Sequence, residues 1–405
     1  MNHFKTIILC SFAFFCFHGA SAQSLPFKIP VNNTEINSTA AGYQLVWQDN
    51  FDGTTLDETN NWVVEVNGDG GGNAELQYYR RENLSVGVEP VSGANCLIIT
   101  GKKESFSGKT CTSGRLKTLS KMSFKHGKIV ARIKLPHTAD GLWPAFWMMG
   151  ADYPNVNVGW PKCGEIDIME MGNANGITRG TQDKYFSSWF HWGETWKNYP
   201  NWGKDYTNAI GIQDGFCLFT LIWDDTSLKT YYGTDDDPLK VNIVEMAING
   251  ADVINNAAHY FHKPFFVLFN MAIGGNFTGI HDINNVTALN ATNNYTATMY
   301  VDYVRVYQQN VAGEEYSGPV LVPTEVKELK SQDQFRIYPN PANDHINIEA
   351  NNQPTHVVII NMTGQEVMSV SNTNSIDTSS LPSGNYLVKI IDSNGKVETH
   401  QMTKK

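Results

Sequence analysis

From Tyr43 to about Tyr307 the chain alternates short apolar and β-branched runs with polar turns. Cys96–Thr100, Gly127–Lys134, Phe216–Trp223, Phe265–Ala272 and Met299–Tyr307 read as strands. Asn67-Gly68-Asp69-Gly70-Gly71-Gly72, Asp235-Asp236-Asp237-Pro238 and Gly274-Gly275-Asn276 read as turns between them, since Gly, Asn and Asp accept the backbone angles that tight turns require. Many short strands with frequent turn signals predict an all-β sandwich or barrel. Residues 240–258 are the one stretch with a helical look.

The pattern changes over 309–333, where Val311-Ala312-Gly313-Glu314-Glu315 through Lys327-Glu328-Leu329-Lys330 is polar and aperiodic, as a linker would be. Alternation resumes from Phe335 to Lys405, with strands expected at Ile346–Glu349, Val357–Asn361, Glu366–Ser369, Gly384–Ile391 and Val397–Thr403. Asp392-Ser393-Asn394-Gly395 is a hairpin signal between the last two. The tail (334–405) therefore reads as a small β-sandwich of its own.

The opposite end has a leader's layout. Lys5 supplies a positive charge, Ile7 to Phe17 is apolar, and Ala20-Ser21-Ala22 fits a small-x-small cleavage site, giving a signal peptide over 1–22 and a polar arm over 23–42. The apolar run is too short to span a bilayer, and no other stretch is long and apolar enough for a transmembrane helix.

Composition adds constraints. A length of 405 residues fits two domains better than one core. A formal net charge of −10 argues against nucleic acid or an anionic membrane as partner, since both are met by basic patches. Only 17% of residues are charged while 12% are aromatic, which fits either a large β core or an aromatic-lined groove. Cys10 and Cys16 leave with the leader; Cys96, Cys111, Cys163 and Cys217 remain, without the CxxC or His spacing of a zinc site. An oxidising destination permits disulfides among them, and buried thiols are the other reading.

The strongest chemical signal is Gly164-Glu165-Ile166-Asp167-Ile168-Met169-Glu170. Alternate residues of a strand share a face, so Glu165 and Asp167 point one way, and Ile166 and Ile168 point into a core. In a regular strand Glu170 would join the isoleucines and bury a charge at considerable cost. One extra residue, a bulge near Met169, returns it to the acidic face. Three acids on one face are either a solvated surface row or, in a cleft, a set whose repulsion and desolvation keep at least one protonated. A protonated carboxyl beside an ionised one is what glycoside hydrolysis uses.

This segment resembles the signature of glycoside hydrolase family 16, in the laminarinase-like form that has an extra residue before the last Glu. The resemblance continues through Leu45-Val46-Trp47-Gln48-Asp49-Asn50-Phe51-Asp52-Gly53, Gly72-Asn73-Ala74-Glu75-Leu76-Gln77-Tyr78-Tyr79, Ser113-Gly114-Arg115-Leu116-Lys117-Thr118, Gly141-Leu142-Trp143-Pro144-Ala145-Phe146-Trp147, Leu268-Phe269-Asn270-Met271-Ala272-Ile273-Gly274-Gly275-Asn276 and Met299-Tyr300-Val301-Asp302-Tyr303-Val304-Arg305. It covers about 43–308 and implies a β-jelly-roll sandwich with a retaining endo-glycosidase activity on β-1,3 or β-1,3/1,4 glucans such as laminarin. Other polymers of the family (lichenan, agar, carrageenan), transglycosylation, or a non-catalytic glucan-binding lectin are the alternatives.

The resemblance also implies roles. Glu165 is the nucleophile, Glu170 the acid/base, and Asp167 holds a proton or hydrogen bond on Glu165. Trp143, Trp147 and Trp160 line the cleft, with core packing the competing reading, strongest for Trp147. Asn73, Glu75, Arg115 and Asn270 bind sugar hydroxyls, though Arg115 could serve a surface ion pair, and His191 faces the acceptor side or is a packed residue. No organic cofactor is required. A structural Ca²⁺ is implied at Asp302, with Asn50 standing where the opening strand of relatives has an acid. The expected state is a monomer.

In the tail, Phe335-Arg336-Ile337-Tyr338-Pro339-Asn340-Pro341-Ala342 and Leu381-Pro382-Ser383-Gly384-Asn385-Tyr386-Leu387-Val388-Lys389-Ile390 resemble a type IX secretion sorting domain of Bacteroidota. That implies export by the type IX machinery to the medium or cell surface. A carbohydrate-binding sandwich is the competitor, but the tail has no Trp and offers only Tyr338 and Tyr386 for stacking on sugars.

Overall fold

The computed structural model describes residues 42–319, 335–350, 354–361, 365–392 and 397–405. The expected leader, nearly all of the arm, most of the linker and the tip of the last hairpin lie outside the described residues. The chain divides into two compact units at Leu321/Val322, and each is considered by itself.

The first unit is a pair of large, almost wholly antiparallel sheets. One has ten strands, and in its main path Val241–Ala247, Ser227–Gly233, Phe216–Trp223, Gly127–Lys134, Thr296–Gln308 and Asn95–Lys102 lie side by side. The other has nine and carries the chemistry. Six of its strands are labelled here: β1 (Arg115–Lys117), β2 (Leu142–Gly150), β3 (Glu165–Met171), β4 (Tyr185–His191), β5 (Asn201–Thr207) and β6 (Phe265–Ile273). Their order in space is β5-β4-β3-β2-β6-β1.

Strand parity explains the core. On β6, Phe265, Val267, Phe269, Met271 and Ile273 pack into the cluster between the sheets, and on β2 Leu142, Phe146 and Met148 do the same. Phe146 and Phe269, opposite each other in the ladder, stack with centroids 4.8 Å apart, and Trp62 leans on Phe269 at 6.0 Å. The opposite parity of the same strands faces away from that core: Ala145, Trp147 and Met149 of β2 meet Phe266 and Leu268 of β6 in a smaller cluster that Cys163, Val158 and Trp160 complete. Because both faces of β2 and β6 are covered, these strands read in sequence as nearly continuous apolar runs. Cys96, Cys111, Cys163 and Cys217 are four separate buried thiols, which decides between the two readings of the cysteines.

Two sequence expectations are corrected. The helical look of 240–258 belongs to a strand, Val241–Ala247, followed by a one-turn helix at Ala257–Phe261. A register shift against Ser227–Gly233 makes the apolar spacing irregular, and Ile243 and Met246 then sit at helix-like i, i+3 positions. The linker begins later than 309, because Glu315–Ser317 adds a strand to the edge of Ser123–Lys125 in the nine-stranded sheet. A three-residue strand carries too short a pattern to register in sequence.

The second unit pairs a three-stranded sheet (Phe335–Tyr338, His345–Ala350, Ser375–Asp377) with a four-stranded one (Glu366–Ser371, Pro354–Asn361, Gly384–Asp392, Val397–Lys404). The five expected strands are present, and the short strands Phe335–Tyr338 and Ser375–Asp377 add to them. Its core includes Phe335, Ile346, Ile348, Val357, Ile359, Val388, Ile390 and Met402. Tyr386 is buried in that core and donates its hydroxyl to the Pro382 carbonyl, so of the two tail tyrosines only Tyr338 is exposed.

Candidate functional site

The acids of β3 are positioned by the neighbours on either side. Asp167 pairs with Trp147 of β2 and Trp189 of β4, and Glu170 pairs with Ala145 and Ser187. Between these two acids β3 has Ile168 and Met169 where each neighbour has a single residue, so β3 bulges there. Both of their side chains are buried in the inter-sheet core along with Ile166 and Met171. The bulge thus resets parity, and Glu165, Asp167 and Glu170 all stand on the face away from the core.

Burial and repulsion govern their protonation. Asp167 is only 5% exposed, and burial followed by the charges of Glu165 and Glu170 pushes its carboxyl well above the usual range. Glu165 is raised first by burial and then by Glu170, while Arg115 and a hydrogen bond from Trp160 favour its ionised form. Glu170 is raised first by burial; the Trp143 indole opposes this by donating to its Oε1 at 2.9 Å, and Asp205 and Glu75 add to it. Glu165, Asp167 and His191 bring one polar atom each within 4.8 Å of the others. Proton retention by these desolvated carboxyls is how such crowding is tolerated.

Trp143 is anchored between function and packing: its ring stacks on Phe277 at 4.5 Å while its N–H serves Glu170. Trp147 lies outside the inter-sheet core, in the cluster on the acidic face, and donates to Asn270 Oδ1 at 2.7 Å. Trp160, half-buried, meets Tyr199 edge-on beside Glu165. Arg115 lies over the Trp147 ring at 4.9 Å, with Nε 3.0 Å from Glu65 Oε2, so it makes an ion pair, though a largely buried one and not a surface one.

Two of the residues expected to bind sugar also have protein partners. Asn270 is 5% exposed; Oδ1 accepts from Trp147 and Nδ2 donates to the Tyr79 hydroxyl at 3.3 Å. Glu75, also 5% exposed, accepts from Gln77 Nε2 at 2.6 Å and from the Tyr79 hydroxyl at 2.9 Å. Both orient the aromatic and cationic groups around them. His191 faces Asp167, with Nε2 3.4 Å from Oδ2, and burial lowers its pKa to about 4, so the ring is neutral at pH 7. Asn73 alone of the polar set is exposed; its carbonyl receives the Asn276 amide at 2.8 Å, which ties the two turns together.

The residues assigned to calcium do not fit the ion. Arg132 Nη1 donates to Asp302 at 3.0 Å, and Arg305 donates to the Asn50 oxygen through Nε (3.2 Å) and Nη2 (3.0 Å). Guanidinium charge already serves both oxygen donors, so a divalent cation would have to displace one arginine and face another.

Residues that sequence reading passed over include Phe277, Tyr79, Tyr199, Trp189 and Asp205. Phe277 directly follows the Gly274-Gly275-Asn276 turn, a signal that could have been used. Asp205 shares strand parity with Asn201 and Gly203, opposite Trp202, Lys204 and Tyr206, and nothing local marks it.

A stability prediction follows from Asp167. Its folded pKa lies above the unfolded value near 4, so the stability linked to its neutral form is complete below pH 4 and is lost as pH rises. Asp167→Asn is expected to be more stable than wild type at pH 8, by on the order of 1–3 kcal/mol, with the gain vanishing at pH 4. Melting curves at the two pH values check this; an equal change at both would contradict it.

Residues 81–185 match the family described as "XgeA-like, catalytic GH16 domain", and residues 336–405 match the "Secretion system C-terminal sorting domain". The chain is 33% identical over 292 residues to glucan endo-1,3-beta-glucosidase A1 of Niallia circulans, with 68% of this chain and 39% of that protein covered. It therefore spans well under half the length of that relative. It is 30% identical to a beta-glucanase of Rhodothermus marinus, covering 66% of this chain and 86% of that one. Among solved structures, a mixed-linkage glucan GH16 protein of Bacteroides ovatus in complex with a G4G4G3G product superposes with a TM-score of 0.55 at 36% identity, covering 64% of this chain and 99% of the other.

Proposed function

The chain belongs to glycoside hydrolase family 16, and on that premise we propose that it hydrolyses internal β-1,3 linkages of glucans such as laminarin, with retention, through a glycosyl-enzyme. The observation that carries the reading is the bulge of β3, which stands two glutamates and a buried aspartate on one face and leaves them short of countercharge.

Glu165 is the nucleophile. Arg115 and the Trp160 indole favour its carboxylate, and that carboxylate attacks the anomeric carbon. Glu170, whose carboxyl pKa burial raises, gives its proton to the departing glycosidic oxygen as the carbon–oxygen bond breaks. In the second half Glu170, now a carboxylate, takes a proton from water; the hydroxide oxygen bonds the anomeric carbon and Glu165 leaves. Asp167 keeps a proton toward Glu165, which disperses charge on the nucleophile as it is expelled, and His191 fixes Asp167. Trp143 orients Glu170, Trp160 offers a ring face to the C–H faces of sugars, and Trp147, buried under Arg115, supports them from below. No step needs a cofactor.

The substrate class rests on the relatives' names, which include β-1,3-glucanase and mixed-linkage glucan activities. The sorting-domain match over 336–405 supports export through the type IX machinery, to the medium or the cell surface.

A 2-deoxy-2-fluoro oligoglucoside with a dinitrophenyl leaving group tests the mechanism. It should inactivate the enzyme with one burst of dinitrophenolate and add one glycosyl mass to the peptide containing Glu165. A label on Glu170 or Asp167 would overturn the assignment.

A further inference from the structure

β4 and β5 extend the acidic face beyond Glu170. Glu170 is opposite Ser187 of β4, and Ser187 is opposite Asp205 of β5. Directly opposed residues of antiparallel strands share a face at about 5 Å, so roughly 10 Å separates the two acids across one small side chain. Asp205 is held in place: the Tyr185 hydroxyl donates to Oδ2 at 2.6 Å and the Trp189 indole to Oδ1 at 3.2 Å. Both donors share the parity of Ser187, and both are neutral, so they fix the carboxylate and leave its charge intact. Gly203 makes this arrangement possible, since a Cβ there would lie 2.4 Å from the Trp189 ring. Between the two acids the Ser187 hydroxyl is fully buried and has no hydrogen-bond partner.

We propose that Asp205 is a positioning residue of the reaction: a fixed, non-reacting carboxylate that acts across Ser187 to keep the proton on Glu170 until the leaving oxygen takes it. The proposal rests on the acid/base role given to Glu170 above. The other charged groups facing Glu170 are Glu165 and Asp167 of its own strand and Glu75 from the Gln77–Tyr79 edge. Glu75 is offset by Arg115, which lies beside it. Arg179 reaches the outer side of Asp205's cradle, 5.6 Å from the Tyr185 ring. Among the charges outside the Glu165–Asp167–Glu170 set, Asp205 acts to raise Glu170 more than Glu75 does. A unit charge at this distance in a partly buried site shifts a neighbouring carboxyl by about one pH unit.

The test is the pH dependence of kcat/KM of the full chain on laminarin. In Asp205→Asn the alkaline limb, set by loss of the Glu170 proton, should move down by about half to one pH unit, lowering the rate above it roughly three- to tenfold. The acid limb should stay, Asp205→Glu should restore the alkaline limb, and a dinitrophenyl glycoside, which needs no proton, should react equally with both variants. An unmoved alkaline limb, or both limbs moving together, overturns the proposal. Should Asp205→Asn fail to fold, Tyr185→Phe removes one donor and leaves the charge less shielded; the alkaline limb should then hold or rise, and a fall overturns the proposal. A wild type inactive on every glucan would instead remove the enzyme reading itself.

Discussion

Glu165→Gln and Glu170→Gln are each expected to lower kcat on laminarin by roughly 10³-fold or more, with the fold intact. The two losses have different chemistry behind them. Gln at 165 cannot form the ester, so no glycosyl-enzyme accumulates. Gln at 170 can neither protonate the leaving oxygen nor activate water, so kcat/KM falls strongly on polymers and little on substrates with dinitrophenyl leaving groups, whose turnover is then held at the glycosyl-enzyme. Azide separates them further. With Glu165→Ala it takes the nucleophile's place and gives an α-glycosyl azide; with Glu170→Ala it attacks the glycosyl-enzyme from the other face and gives the β-azide. Neither substitution should reduce the melting temperature at neutral pH, because each removes a carboxyl whose ionisation burial opposes. Full activity in either Gln variant would end the assignment.

The largest stability effect is expected at Phe269→Ala, about 3–5 kcal/mol. Phe269 is fully buried, stacks on Phe146 within 8° of parallel, and supports Trp62, which is itself packed against Trp47 and Phe51. Removal leaves a ring-sized void at the centre of the inter-sheet core, where rigid strands on both sides limit collapse. In a unit of this size the melting temperature should fall by roughly 10 °C. The neighbouring Asn270, of opposite parity, anchors Trp147, so the loosened strand should also raise KM. A shift of under 2 °C would mean that the core repacks freely around β6.

How much of this was legible in sequence depends on parity and range. The three acids and the need for a bulge follow from alternation within one heptapeptide, and the structure places the bulge at Ile168-Met169. The long strands and the tail's five strands were legible because their apolar periods persist over enough residues. The failures are long-range. Glu75 and Asn270 also bond Gln77, Tyr79 and Trp147, and no local pattern reveals those pairings. Asp302 looks like a calcium ligand until Arg132 is seen to cross from the adjacent strand. Asp205 acquires meaning only from the register of two strand pairs. The weak helix signal at 240–258 shows the converse, a local spacing that sheet register overrode.

The central claim is tested most directly by incubating the purified full chain with laminarin, lichenan and agarose and following reducing ends together with the anomeric proton signals of the first products. The account predicts fastest release from laminarin, with the β-anomer appearing first and the α-anomer only by later mutarotation. Binding to laminarin without release from any of the three polymers, or the α-anomer first, would contradict it.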